Sequence, residues 1–213
     1  MMVTEFDPTM PGMRTPDFFD AVPTIKVVDP LAAALGAADD GVIEYRYLDA
    51  VKLTGHSCPT VAGAWLMTRA ALAHLYPDTL PRRGELRVEL CQRQDEGVAG
   101  VIASIAQLVT GAAGEGGFKG LAGRFARCGL LRSGVAMPGE IRFSRLDNGA
   151  SIVLAHHMQA VPRAASLTEK LQAAFGPGAD DAGRQAFAQT WQGWVRTILL
   201  EHADDPALIV AIG

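Results

Sequence analysis

The sequence predicts an α+β fold: a mixed or antiparallel sheet packed with helices, including a C-terminal β-hairpin and a long helix. Apolar residues recur at helical spacing after Pro59, and apolar and polar residues alternate over residues 85–91. Asn148-Gly149 lies between two strand-like segments, and this dipeptide favours the positive φ values of a type I′ turn. Strands and helices follow one another without regular βαβ spacing, which disfavours a doubly wound sheet.

The first half of the chain carries three local signals. Asp29-Pro30 is suited to start a short helix, because Asp accepts free helix N–H groups and Pro fits the first turn. Alternating apolar and polar residues predict a strand or hairpin over residues 41–54. Residues 59–77 predict a helix of about five turns with one buried stripe.

The second half of the chain predicts further elements from the same two periodicities. They are, in order, a half-buried strand over residues 85–91, a helix over 98–109 closed by a glycine-dense loop over 111–117, hairpin strands over 141–146 and 151–157, and a long helix over 187–199. A short apolar tail follows at residues 208–212 and is expected to pack on another surface, such as a second copy of the chain.

The domain organisation follows from length and proline content. Residues 1–30 hold five of the chain's 12 prolines and are expected to form an extended arm. Residues 31–213 are expected to form a single α+β domain, because one core usually spans roughly 100–200 residues.

Charge and composition argue against several classes of partner. The formal net charge is −4 and no Lys/Arg cluster is present, so nucleic acid is not an expected partner. No apolar stretch approaches the ~20 residues of a membrane span, and the N-terminus lacks the order of a signal peptide. A cytoplasmic protein without a membrane partner is therefore expected. Its three cysteines are an odd number, unlike a disulfide framework.

The segment Gly55-His56-Ser57-Cys58-Pro59 is the strongest candidate site. It brings an imidazole and a thiol two residues apart to the start of a predicted helix, whose positive end favours the thiolate form of Cys58. Nitrogen and sulfur donors suit Zn²⁺, which takes four ligands in structural sites and three plus an open position in reactive ones. The alternative interpretation is a capping cysteine beside a solvated histidine.

Further ligands are expected from elsewhere in the chain. Cys91 ends a predicted strand and is the best third ligand, with Asp95 or Glu96 just after it. Cys91 could instead be a small buried residue. His156 and His157 are adjacent on a strand, so at most one of them can face a given site.

Other chemically capable residues are assigned structural roles. His74, His202 and Cys128 are expected to be core or helix-end residues. The loop over residues 111–120 is rich in glycine but lacks Gly-Lys-Ser/Thr and follows a helix, so it is not expected to be a phosphate-binding loop.

Residues 55–59 resemble the Gly-His-x-Cys-Pro motif of the formylmethanofuran dehydrogenase E-subunit-like family. Residues 105–111, followed by Gly114, look like that family's helix ending in Thr-Gly and its glycine-containing loop. The resemblance covers roughly residues 40–160. It implies an α+β, commonly dimeric, metal-binding protein in which His56 and Cys58 take part in the site.

The chain departs from the family at positions that carry further donors. Ala112 stands where the family often has Cys, and Val101 or a neighbour and Ser104 stand where it has Cys and Asp. A cysteine-rich zinc module found in some relatives is also missing. Pterin, tungsten or molybdenum chemistry is not inferred.

The leading hypothesis is a homodimeric protein that binds Zn²⁺ through His56, Cys58 and Cys91. An open metal position would make it catalytic, with Asp95 or Glu96 as proton acceptor. One alternative is a metal-free thiol-redox or small-molecule-binding protein that uses Cys58. Another is a structural component of a dimer.

Overall fold

Residues 13–212 are described by the computed structural model, and they contain six α-helices and seven β-strands. In chain order these are β1 (Ile25–Val28), α1 (Pro30–Ala34), β2 (Val42–Tyr45), α2 (Tyr47–Thr54), α3 (Pro59–Leu75), β3 (Leu86–Leu90), α4 (Ala99–Thr110), β4 (Leu131–Arg132), β5 (Ile141–Arg145), β6 (Ser151–His156), α5 (Leu167–Phe175), α6 (Asp181–Arg196) and β7 (Ile209–Ile212).

The main sheet has five strands in the order β4-β3-β5-β6-β7. β3 and β4 are parallel, and all its other neighbours are antiparallel. A separate antiparallel ribbon joins β1 to β2. The predicted α+β class, with a mixed sheet packed against helices, is confirmed.

The hairpin predicted around Asn148-Gly149 is confirmed, but its turn differs from the expected type I′. Gly149 has a φ of 75°, whereas Asn148 does not adopt a positive φ. The Arg145 N–H donates to the Ala150 carbonyl (2.8 Å), so residues 146–149 form a four-residue connection. Longer connections of this kind need positive φ at fewer positions than a two-residue turn does.

Helix α3 lies at the centre of the protein. All eight residues from Val61 to Thr68 are buried, so the helix is covered on every side there instead of on one stripe. It packs against α4 on one side and β6 on another. This central position fixes the helix N-terminus, where Cys58 lies, relative to the rest of the core.

Part of the segment predicted as a strand over residues 41–54 is helical. β2 ends at Tyr45, and α2 begins at Tyr47. Tyr47, Ala50 and Val51 are buried at helical spacing, and the Arg46 N–H donates to the Asp49 carboxylate (2.8 Å) as a helix cap. The alternation that suggested a strand ends where this helical pattern begins.

The predicted N-terminal arm spans residues 1–30, of which residues 1–12 lie outside the described residues. Residues 17–21 form a short 3₁₀-helix, and β1 follows. Phe19, Val22, Ile25 and Val27 are all buried in the core. This part of the segment is therefore packed into the domain.

The C-terminal tail has a partner within its own chain. β7 pairs with β6 at the edge of the main sheet, and Leu208 before it is fully buried. This pairing accounts for the tail's apolar character, and the homodimer remains a prediction. Among residues 13–212 there is no helix with the length and apolar character needed to cross a membrane.

Candidate functional site

The candidate site is the short connection between α2 and α3. Gly55 follows α2 with a φ of 75°, a left-handed conformation that glycine adopts without strain. The chain then passes through His56 and Ser57, and Cys58 is the N-cap residue of α3. The sequence prediction that this motif precedes a helix is confirmed, although α2 and not a strand leads into it.

His56 is exposed, and one hydrogen bond sets its orientation. Its Nδ1 lies 2.9 Å from the carbonyl oxygen of Thr54. Because a carbonyl can only accept, Nδ1 must carry the proton, and in the neutral ring Nε2 keeps its lone pair. Nε2 has no hydrogen-bond partner among the described residues. This is the arrangement of a histidine that binds a metal through Nε2.

Ser57 is buried and anchors the connection from two sides. Its Oγ lies 3.0 Å from the hydroxyl of Tyr47. Its carbonyl accepts hydrogen bonds from Trp191 Nε1 (3.0 Å) and Gln192 Nε2 (3.1 Å) of α6. Burial raises the pKa of Tyr47, which keeps its phenol protonated in this bond. The loop that carries His56 and Cys58 is therefore held in place by α2 and α6.

Cys58 is partly buried and lines a cavity of about 400 Å³. Although Cys58 occupies the N-cap position, its thiol makes no capping hydrogen bond and is left available. Phe187, Trp191 and Trp194 of α6 supply an aromatic side of the cavity, and the exposed Arg163 lies at its rim. Cys58 thus contributes a thiol to an otherwise mostly apolar cavity.

Cys91 lies at the end of β3 and borders a different cavity, of about 190 Å³. Its sulfur is 3.7 Å from the carbonyl oxygen of Met137, and its backbone N–H donates to the carbonyl of Glu140 (2.9 Å). This cavity shares no lining residue with the one at Cys58.

Asp95 and Glu96 are both exposed, and both accept hydrogen bonds from Arg93. The guanidinium of Arg93 donates to both carboxylate oxygens of Asp95 (3.0 and 3.1 Å), and these bonds lower the pKa of Asp95. The Arg93 backbone N–H donates to Glu96 (3.0 Å). Neither carboxylate borders the Cys58 cavity.

His156 and His157 differ in exposure, as expected for neighbours at the end of a strand. His157 is exposed, whereas His156 is partly buried with its ring against Gly63 of α3. The His156 ring Nδ1 and its backbone N–H (3.1 Å) both contact Oε2 of Glu140. Burial acts to raise the pKa of Glu140, but the hydrogen bonds and charge of His156 outweigh it and the pKa is lowered.

Glu140 also lines the Cys91 cavity, so Cys91 and the Glu140–His156 pair lie in one region. Within residues 13–212, however, no three His, Cys, Asp or Glu side chains are grouped closely enough to hold a metal ion. The positions where the family has further donors supply no metal ligand here. Ala112 is fully buried and has no donor atom in its side chain, and the Ser104 hydroxyl donates to the Val101 carbonyl (2.8 Å).

Comparisons of the chain with protein families, with curated proteins and with solved structures give no match. The resemblance to the formylmethanofuran dehydrogenase E-subunit-like family therefore remains a prediction from the two motifs.

Proposed function

We propose that the protein binds one transition metal ion, most simply Zn²⁺, through Nε2 of His56 and the thiolate of Cys58. The observation that carries this proposal is the hydrogen bond from His56 Nδ1 to the Thr54 carbonyl, which leaves Nε2 as the free donor atom. Cys58, two residues away, has a thiol without a capping role at the positive end of α3.

The donor types fit Zn²⁺, which accepts imidazole nitrogen and thiolate sulfur. The pair supplies two donors, so the other positions of the metal require water, a small molecule or donors from a second copy of the chain. Because Cys58 also borders the aromatic cavity, a small molecule bound there would lie beside the metal. Cys91 borders a separate cavity, and we leave it out of this site.

The family resemblance supports the same assignment, since it implies that His56 and Cys58 take part in a metal site. We propose that the chain is a divergent relative of the formylmethanofuran dehydrogenase E-subunit-like family. Its substitutions at Ala112 and Ser104 would leave it with fewer donors than the family pattern.

Cobalt(II) added to metal-free protein tests which residues bind. Cobalt bound to a thiolate gives a sulfur-to-metal charge-transfer band in the near ultraviolet, which a free thiol does not give. We expect this band in the wild type and in Cys91→Ala, and its loss in Cys58→Ala. His56→Ala should weaken cobalt binding by at least about tenfold, the loss typical of a ligand or its support.

The matched controls decide the outcome of the cobalt experiment. Cys91→Ala and Cys128→Ala each remove a partly buried thiol outside the proposed site. A band that persists in Cys58→Ala, or that disappears only in Cys91→Ala, would contradict the assignment.

A second candidate function is metal-free binding of a small molecule, with Cys58 as the reactive group. The specific observation that favours it is the aromatic side of the cavity, where Trp191 packs edge-to-face on Trp194 with ring centroids 5.9 Å apart. Aromatic side chains of this kind suit a flat apolar ligand, and Arg163 at the rim suits an acidic group on that ligand.

Alkylation of Cys58 by iodoacetamide separates the two functions. In a Cys91→Ser/Cys128→Ser background, a metal-bound Cys58 should react slowly until a chelator is added. Metal-free thiol chemistry instead predicts the same rate with and without chelator. The rate is followed by mass spectrometry of the intact chain.

A further inference from the structure

A third pocket, apart from those at Cys58 and Cys91, is lined by four arginines. It has a volume of about 160 Å³ and lies between the start of α1, the turn before β3 and the loop over residues 124–127. Arg82, Arg83, Arg124 and Arg127 all line it. It shares no lining residue with the Cys58 cavity.

Asp29 joins two of these arginines beneath the pocket. Its side chain is 3% exposed and accepts from Arg83 Nη1 (2.8 Å) and Arg127 Nη2 (2.6 Å). The same carboxylate caps α1 through the N–H groups of Leu31 (2.9 Å) and Ala32 (3.2 Å). One negative charge thus holds two guanidinium groups in fixed positions.

The pocket keeps an excess of positive charge. Arg82 is paired with Glu85 through two hydrogen bonds (2.7 and 2.9 Å). Arg124 lies over the ring of Phe125, 5.0 Å from its centroid, and has no carboxylate partner among the described residues. Four guanidinium groups therefore meet only two carboxylates, and the difference equals the charge of a dianion.

Two of the arginines have hydrogen-bonding capacity that the protein does not use. Nε of Arg83 and Nε of Arg127 are both buried, and neither has a hydrogen-bond partner in the part of the chain described. Arg127 Nε lies against Gly84, which lines the pocket. A buried N–H donor without an acceptor is costly, and a bound water or ion is one way in which such a group is satisfied. Arg87 Nε, outside the pocket, is in the same state, so the charge of the four arginines is the stronger argument.

The loop that supplies Arg124 and Arg127 has an unusual backbone. Ala122 and Phe125 have positive φ values of 49° and 63°, which residues other than glycine adopt rarely and at a cost. The loop is held by reciprocal hydrogen bonds between Leu121 and Arg124 (2.8 and 3.0 Å) and by the bond from the Arg127 N–H to the Phe118 carbonyl (2.7 Å). Its shape brings both arginines to the same pocket.

We propose that this pocket binds a phosphate dianion, either inorganic phosphate or the phosphate group of a monoester. The guanidinium group offers paired N–H donors that match phosphate oxygens, which is why arginine is over-represented at phosphate-binding sites. The pocket volume of about 160 Å³ is several times what one water molecule needs, so a phosphate group can enter. The glycine-dense loop thus contributes through the arginines that follow it and not as a backbone phosphate cradle.

Titration calorimetry with inorganic phosphate and with phenyl phosphate, at constant ionic strength, tests this site. The informative variant is Arg124→Gln, because Arg124 is exposed and its loss leaves the Asp29 contacts in place. We expect it to raise the Kd for phosphate by at least about tenfold, the effect of losing a hydrogen bond to a charged group. Tighter binding of phenyl phosphate would identify a monoester as the ligand, and equal binding would identify free phosphate.

The control is Arg184→Gln, which makes the same change in charge at an exposed arginine that pairs with Asp181 and does not line the pocket. It should leave phosphate binding unchanged. Equal weakening by both variants would mean non-specific attraction and would overturn the proposal. So would the absence of measurable heat at phosphate concentrations on the order of 10 mM, since even a Kd of about 1 mM would be detected there.

Discussion

Replacing Asp29 with asparagine should lower the free energy of unfolding by about 3–5 kcal/mol, the usual result of removing one partner of a buried ion pair. Asparagine keeps an oxygen that can cap α1, so the change removes mainly the charge. Arg83 and Arg127, whose side chains are 16% and 11% exposed, would then be left without a carboxylate. Urea denaturation followed by circular dichroism at neutral pH measures the difference.

The matched control for Asp29 is Asp181→Asn, which breaks an exposed pair with Arg184. Exposed pairs contribute about 0–1 kcal/mol, so this variant should unfold close to the wild type. Similar losses of unfolding free energy in the two variants would show that the buried Asp29 cluster stabilises the protein no more than an exposed ion pair does.

The pH dependence gives an independent check on Asp29. Burial acts to raise its pKa, but the hydrogen bonds from Arg127 and Arg83 outweigh burial and hold the pKa below its ordinary value of 3.8. The folded state thus favours the charged carboxylate. The contribution of this carboxylate to the free energy of unfolding is present above pH 3.8 and is lost as the pH falls through the lowered pKa. The stability gap between wild type and Asp29→Asn should therefore narrow in acid, and a constant gap would contradict this explanation.

Replacing Tyr47 with alanine should cost about 3–5 kcal/mol of unfolding free energy, as expected for a fully buried aromatic ring. The ring packs edge-to-face with Phe19 and Trp65, at centroid distances of 5.1 and 6.1 Å. Its hydroxyl also contacts Ser57 Oγ, so the change should loosen the loop that carries His56 and Cys58. Denaturation measures the stability, and iodoacetamide reactivity of Cys58 in chelator measures the loop.

Tyr47→Phe separates the ring from the hydroxyl. It keeps the aromatic packing but leaves the buried Ser57 hydroxyl without its partner, at a cost of about 1–3 kcal/mol. We expect a smaller loss of stability than in Tyr47→Ala, together with a faster reaction of Cys58. A loss as large as that of the alanine variant would mean that the ring contributes little.

Much of the fold can be predicted from the sequence because its signals are local. Helix α3, strand β3 and the hairpin of β5 and β6 each have an uninterrupted periodicity or a turn dipeptide. The pairing of β7 with β6 could not be predicted in this way, because it joins residues more than 50 positions apart. The start of α2 could not be predicted either. The alternation of apolar and polar residues in β2 continues as far as Tyr47, which is already the first residue of the helix.

The same distinction between local signals and long-range contacts applies to the candidate site. The placement of His56 and Cys58 at a helix N-terminus follows from Pro59 and the periodicity after it. The contact of Trp191 with the Ser57 carbonyl spans 134 positions, so no local signal indicated that α6 anchors this loop. Glu140 was missed for a similar reason, because its contact with His156 depends on the register of β5 and β6.

The most direct test of the proposed metal site is the metal content per chain, measured by mass spectrometry on protein purified without an affinity tag. The wild type and Cys91→Ala should each hold about one Zn²⁺ per chain, directly or after reconstitution, and the His56→Ala/Cys58→Ala double variant should hold none. A wild type that stays metal-free after reconstitution, or a double variant that retains its metal, would contradict the proposed site.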